Sequence, residues 1–152
     1  KSILMDSIEK RMISDVPLGS FLSGGIDSTL ITSMAQKVSD KPVKTFSIGF
    51  YDKEKNEAEF AAETAKYLGT DHHELYVSEQ DILDTIKDLP YYYDEPFSDS
   101  SQLPCMLVSK MASEHITVAL SGDGGDELFC GYKMYDWTWI AQNADWGGVF
   151  SV

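Results

Sequence analysis

The chain has 152 residues, 43% of them hydrophobic and 24% charged, with 12 Lys and Arg against 25 Asp and Glu. That length is enough for one domain with a real core and too little for two, and no apolar run approaches the ~20 residues of a membrane-spanning helix. The net charge of −13 repels a phosphate backbone and argues against a nucleic-acid substrate, and two cysteines without metal-ligand spacing suit a reduced, cytoplasmic protein.

In chain order, Ile3, Leu4, Ile8 and Met12 space a helix that ends before Pro17. A short apolar strand, Gly19-Ser20-Phe21-Leu22, then enters the turn Ser23-Gly24-Gly25-Ile26-Asp27-Ser28. A helix follows, with Leu30, Ile31, Met34, Ala35 and Val38 on its periodic positions. Residues 43–50 (VKTFSIGF) read as a buried strand bounded by Pro42 and a Tyr-Asp-Lys turn. Asn56 and Glu59 form a cap-like pair for a helix through Leu68, closed by Gly69. His72–Val77 is a third strand, and Ser78 caps a helix carrying Ile82, Leu83 and Ile86 that stops at Pro90. An aromatic and acidic loop, 91–101, leads to a helix with Leu103, Leu107 and Met111, where Cys105 is expected in the core. Ile116–Leu120 is a nearly all-apolar strand of buried type. Residues 1–135 are expected to form the domain core, and 136–152 an atypical tail whose Trp137, Trp139 and Trp146 once packed on something outside the chain. Lys1 is not a natural start, so a piece of a longer protein is expected.

Strands alternating with helices, on near-continuous apolar strands, define an α/β fold with a doubly wound parallel sheet. Ligands in such folds collect at the carboxyl ends of the strands. The turns 23–28, 49–51 and 121–127 all fall there on this reading, so they converge on one crevice. In the first turn, two glycines let the backbone bend and present N–H groups to an anion, and the helix start adds partial positive charge. Ser23 and Ser28 offer hydroxyls to phosphate oxygens, and Asp27 suits a hard cation such as Mg²⁺. The lysine of a G-x-x-x-x-G-K-[ST] loop is missing, which sets the site apart from kinases and GTPases. An ordinary strand-to-helix turn of small residues would look similar.

No Lys or Arg occurs in 88–109 or 111–132, while Asp94, Glu95, Asp99, Asp123, Asp126 and Glu127 do. These acids either form a solvated face or take metal ions as partners. Adjacent His72 and His73 point to opposite faces of a strand and cannot chelate one ion. Tyr91-Tyr92-Tyr93 can stack on a base, or pack in a core or interface.

The pattern S-G-G-x-D-S resembles the pyrophosphate loop of the N-type ATP pyrophosphatases, which have the Rossmann-like adenine nucleotide alpha-hydrolase fold. A second stretch, Ser121-Gly122-Asp123-Gly124-Gly125-Asp126-Glu127-Leu128-Phe129, is similar to the S-G-[ED]-G-[SG]-D-E-[LV]-F loop in the C-terminal synthetase domain of glutamine-dependent asparagine synthetases. Asp94-Glu95-Pro96-Phe97 and Asp99-Ser100-Ser101 also resemble a loop of that family.

The resemblance implies an amide-forming ligase that uses ATP and Mg²⁺. It activates the aspartate side chain as an acyl-adenylate, which ammonia from a glutaminase domain or subunit attacks. It assigns Ser23, Gly24, Gly25, Asp27 and Ser28 to the phosphates, and Asp27 and Asp126 to the metal. Ile48 and Gly49 fall on the adenine side, Ser121 and Gly122 are further ligand contacts, and Asp123 is the acid that accepts a proton from ammonium. Many members have Glu at that last position, and an Asp before Gly is also a common turn former. Asp99 and Ser100 either touch the adenylate or cap the following helix.

The chain departs from the family at Cys130, where a glycine is expected, and at Met134, where an arginine is expected. The family's long helical region and its N-terminal glutaminase are also missing from the sequence. A relative acting on another carboxylate and a non-catalytic nucleotide-binding fragment therefore stay open, and a homodimer is compatible with either.

Overall fold

The protein's structure, a computed structural model, describes residues 1–51, 56–95 and 98–143. The turn residues Asp52 and Lys53, Pro96-Phe97 and Trp146 lie outside them. The chain divides into a unit of Lys1–Gly122 and a second that begins at Asp123.

The first unit is built on four strands: β1 (Leu18–Phe21), β2 (Lys44–Phe50), β3 (Asp71–Val77) and β4 (Val118–Leu120). All three pairings are parallel and the spatial order is β3-β2-β1-β4. The doubly wound sheet expected from the alternation of elements is therefore present. Its helices are α1 (Ser2–Arg11), α2 (Ile26–Val38), α3 (Ala58–Leu68), α4 (Glu79–Ile86), α5 (Leu89–Tyr92) and α6 (Gln102–Ser113).

Alternation along β1 assigns the helices to faces. The Ser20 hydroxyl lies 2.9 Å from that of Thr32 on α2, and Leu22 packs with Ala61 and Ala65 of α3. Phe21, between them, joins Phe46, Val108, Met111, Ala112 and Ile116 on the α6 side. Thus α2 and α3 cover one face and α6 the other. The chain winds outward from β1 through β2 to β3, then crosses back under the sheet to β4 on the opposite side of β1. That reversal is a topological switch point, where α/β sheets leave a crevice at their carboxyl ends.

Local chemistry accounts for most boundaries. Ser78 and Asp81 complete a capping box at α4: the Ser78 Oγ accepts from the Asp81 N–H at 3.2 Å, and the Asp81 carboxylate accepts from the Ser78 N–H at 2.8 Å. Gly69 closes α3 in the left-handed region, φ 72°.

Four expectations need correction. Helix α3 starts at Ala58 with Glu57 as its cap residue, and Asn56 lies one position further out, its Oδ1 accepting from the Ala58 N–H at 3.2 Å. Pro90 opens the short helix α5 as well as following α4, since a first helical turn needs no N–H from proline. Among the described residues strand β4 pairs only with β1 and so lies at the sheet edge, and its Val118 is 42% exposed. Cys105 is exposed, and lines a cavity of about 480 Å³ between α4–α5 and α6 together with Tyr92, Tyr93 and Lys110.

The second unit carries α7 (Gly125–Phe129) and α8 (Lys133–Asn143), neither with a buried residue. Gly124 (φ 87°) precedes α7 and Cys130 (φ 59°) ends it, both in the left-handed region. Gly131 follows closely: a Cβ there would collide with the Asp126 Oδ1, so a side chain would require the Asp126 carboxylate to move. The Tyr132 hydroxyl donates to Glu127 Oε1 at 2.7 Å.

Candidate functional site

The turn after β1 is closed by its own hydroxyls. Ser23 and Ser28 oxygens lie 3.0 Å apart, the Ser23 N–H donates to Ser28 Oγ at 3.2 Å, and Ser28 donates to the Gly25 carbonyl at 3.2 Å. The Gly25 N–H donates to Ser23 Oγ at 3.3 Å. Ser28 is buried, so its hydroxyl holds the loop's shape, whereas Ser23 is exposed at its rim. Gly25 caps α2, whose backbone bonding begins with the Thr29 N–H to the Gly25 carbonyl at 3.1 Å. The N–H groups of Ile26, Asp27 and Ser28 therefore open the helix without intrahelical acceptors, as at any helix start, and the dipole adds positive potential. Asp27 stands half-buried in that first turn.

Gly24 is the turn's left-handed position, at φ 85°, which glycine adopts without strain. A Cβ there would meet Phe60 Cβ at 3.0 Å, Ala61 N at 3.1 Å and the Glu57 carbonyl at 3.2 Å. Backbone geometry and the first turn of α3 both require glycine. Sequence reasoning missed this backing by residues 57–61; a glycine flanked by serine and glycine marks the close approach without naming what approaches.

From the other side of the switch point, Gly122 comes up against the same turn. Its Cβ would lie 2.8 Å from the Ser28 nitrogen and 3.1 Å from the Asp27 carbonyl carbon and Cβ. Two loops about a hundred residues apart thus touch through backbone, because β1 and β4 pair with Ser20 opposite Leu120. Ser121 stands between β4 and Gly122, half-buried. Of the sequence-predicted residues, Ser23, Gly24, Gly25, Asp27 and Ser28 share one turn, and Gly122 joins them. Ile48 and Gly49 occupy the carboxyl end of β2, the strand hydrogen-bonded to β1; the Leu22 N–H donates to the Phe46 carbonyl at 2.9 Å just below the turn. Asp123 and Asp126 belong to the second unit, Asp123 exposed and Asp126 in the first turn of α7.

Other flagged residues find structural partners. Asp99 accepts from the Ser101 hydroxyl at 2.6 Å and its N–H at 2.7 Å, which hold its carboxyl below the usual carboxylate range and favour the role of shaping the entry to α6. His72 and His73 do point to opposite faces. On the α3 face, His72 Nδ1 lies 2.8 Å from Thr45 Oγ1 and Nε2 3.3 Å from Ser47 Oγ. Burial pushes the His72 pKa down, opposed by the Glu74 carboxylate 3.5 Å away. On the α6 face, His73 stacks on Phe46 with ring centroids 5.2 Å apart.

No group of three or more His, Cys, Asp and Glu side chains among the described residues is arranged to hold a metal ion. Mg²⁺ commonly takes one or two carboxylates, with substrate phosphates and water as its other ligands. Asp27, an oxygen donor in the first turn of α2 beside the glycine-serine turn, is compatible with an ion that arrives with a nucleotide. No described helix is long and apolar enough to cross a membrane.

A parallel sheet of order 3-2-1-4 with a glycine-serine turn at its switch point is the adenine nucleotide alpha-hydrolase fold. Solved structures agree on the architecture: NMN synthetase from Francisella tularensis aligns with a TM-score of 0.60 at 18% identity over 86% of this chain and 56% of that one. The NH3-dependent NAD synthetase from Campylobacter jejuni aligns with 0.58 at 18% over 86% and 58%.

The asparagine synthase family model matches residues 1–148, and the chain belongs to that family. It is 42% identical to asparagine synthetase [glutamine-hydrolyzing] 1 of Bacillus subtilis over 135 residues, covering 89% of this chain and 21% of the relative. A putative asparagine synthetase [glutamine-hydrolyzing] 2 of Methanocaldococcus jannaschii is 44% identical over 136 residues, 89% of this chain and 26% of its own length. The chain thus spans about a fifth to a quarter of the curated relatives it matches.

Proposed function

We propose that this chain is the nucleotide-binding part of an ATP-dependent, amide-forming ligase that makes asparagine. The carboxylate of aspartate attacks the α-phosphorus of ATP, the bond to the β-phosphate breaks, and pyrophosphate leaves. Ammonia then attacks the acyl carbon, AMP departs, and the extra proton passes to a base. The observation that carries this reading is the contact of Gly122 with the Asp27–Ser28 backbone at the switch point, in a chain of the asparagine synthase family.

Negative charge develops on the departing pyrophosphate, so fixed donors and positive potential around it lower the barrier. The open N–H groups of α2 and the Ser23 hydroxyl are suited to that task, and Ser28 keeps them in position through its bonds to Ser23 and Gly25. Ile48 and Gly49 are proposed to face the adenine, and Ser121 and Gly122 to contact the nucleotide. When bound, Mg²⁺ neutralises charge on the phosphates, and Asp27 is its proposed ligand in the first unit. Family motifs add Asp126 as a metal ligand and Asp123 as the proton acceptor, each from the second unit. The ammonia is proposed to come from a glutaminase domain or subunit.

The test is ATP–pyrophosphate exchange with aspartate and Mg²⁺, alongside ATP binding. Aspartate-dependent exchange is expected. Binding without exchange for aspartate or any other carboxylate would replace the ligase with a nucleotide-binding module. Asp27→Asn should weaken Mg²⁺–ATP, and an unchanged affinity would remove Asp27 from the metal.

A further inference from the structure

Two tyrosines stand at the carboxyl ends of β2 and β3 that neither the fold nor the phosphate turn requires. Tyr76 pairs in register with Gly49, and its ring fills the space a Gly49 side chain would need: a Cβ there would lie 2.8 Å from Tyr76 Cε1 and 2.9 Å from Ala58 Cβ. The ring therefore lies across β2 toward the switch point. Tyr51, the residue after β2, meets it with ring centroids 5.7 Å apart and a tilt of 42°. Both keep solvent-facing surface, Tyr76 at 38% and Tyr51 at 72% exposed.

The same helical turn connects this pair to the phosphate turn. Glu57 bounds Gly24 and Ala58 bounds Gly49, so the first residues of α3 wedge between the two glycines. A planar aromatic surface next to an anion-binding turn matches a nucleotide, which carries a flat base on one end and phosphates on the other. Aromatic rings stack on bases with little dependence on hydrogen-bond pattern.

We infer that Tyr76, steadied by Tyr51, is the wall against which the base of the bound nucleotide packs, and that Gly49 is glycine to let that wall lie flat. This rests on the proposed reading of the turn as a phosphate site. It makes Tyr76 a selectivity residue for nucleotides over base-free polyphosphates.

Calorimetric titration of the chain with Mg²⁺–ATP and with Mg²⁺–tripolyphosphate tests it. The two probes share the polyphosphate and differ in the nucleoside. Tyr76→Leu should weaken ATP on the order of ten-fold or more while leaving tripolyphosphate unchanged. Tyr76→Phe should retain ATP affinity, and Tyr51→Leu should show a smaller loss of the same kind.

Equal ATP affinity in Tyr76→Leu and the parent chain overturns the inference. So does an equal loss for both probes, which would mean that Tyr76 acts through the turn's structure. A parent chain that binds both probes equally well also overturns it, leaving the phosphate site standing. A parent chain that binds neither overturns the phosphate reading itself.

Discussion

Gly122→Ala perturbs the crevice where its two loops meet. The new methyl carbon would lie 2.8 Å from the Ser28 nitrogen, and ordinary contact begins at 3.4 Å, so one loop must retreat by roughly 0.6 Å. Neither loop yields freely. Ser28 belongs to the first turn of α2, whose approach is tied by the Leu22 N–H to the Phe46 carbonyl, and β4 is held to β1 by its parallel ladder. Overpacking against backbone costs about 1–3 kcal/mol, which should lower Tm by roughly 3–10 °C in a unit of this size. The displaced N–H donors should also weaken Mg²⁺–ATP on the order of ten-fold, about the loss of one hydrogen bond to a charged group. Thermal melts and calorimetric titration of the variant check both effects. A Gly122→Ala chain with unchanged Tm and unchanged ATP affinity would refute the claim that the loops touch through backbone.

Cys130→Gly should stabilise the second unit by about 0.5–1 kcal/mol, because a left-handed residue with a Cβ costs about 1–2 kcal/mol and glycine's extra freedom in the unfolded chain offsets part of that; hydrogen exchange in α7 reads it, with Cys130→Ala as the variant expected to gain nothing. His72 has a folded pKa below its ordinary 6.5, so the fold binds fewer protons than the unfolded chain, and stability is full above about 6.5 and falls as pH drops from there through the folded value. Urea midpoints against pH for the parent and His72→Gln should separate in that window, and Glu74→Gln, which removes the opposing charge, should extend the loss to lower pH. The Glu127 carboxylate accepting from Tyr132 pushes that phenol up to about 12, and Glu127→Gln should bring it back toward 10 in a spectrophotometric titration.

Much of the fold was legible because its signals are local. The strand-glycine-helix order around residues 19–38, the cap at Ser78 and the left-handed stop at Gly69 follow from neighbours in sequence, and each is found in the structure. The opposite facing of His72 and His73 needed only the two-residue period of a strand. What was lost depends on partners far along the chain. An apolar run such as 116–120 reads the same at the centre and at the edge of a sheet, and strand order places β4 at the edge. Cys105 sits on a periodic helix, but its side faces α4–α5, whose residues are themselves unburied, so apolar spacing did not mean core. Pro90 stops one helix and starts another, and proline alone does not distinguish those outcomes. At the site, the turn was visible in its own letters, whereas the pressing of Gly122 on Ser28 and of α3 on Gly24 is tertiary. Only a glycine that tolerates no side chain hints at such contacts beforehand.

The pairing of β1 with β4 also sets when the crevice can exist. Ser20 meets Thr45 across 25 residues, but its hydroxyl reaches the Leu120 carbonyl across 100. Closing the longer span costs more chain entropy, and β4 offers only three residues to repay it. A chain in which β1, β2 and β3 had paired but β4 had not would lack the second lip of the cleft. The contact of Gly122 with the Asp27–Ser28 backbone would then form only once β4 has paired with β1.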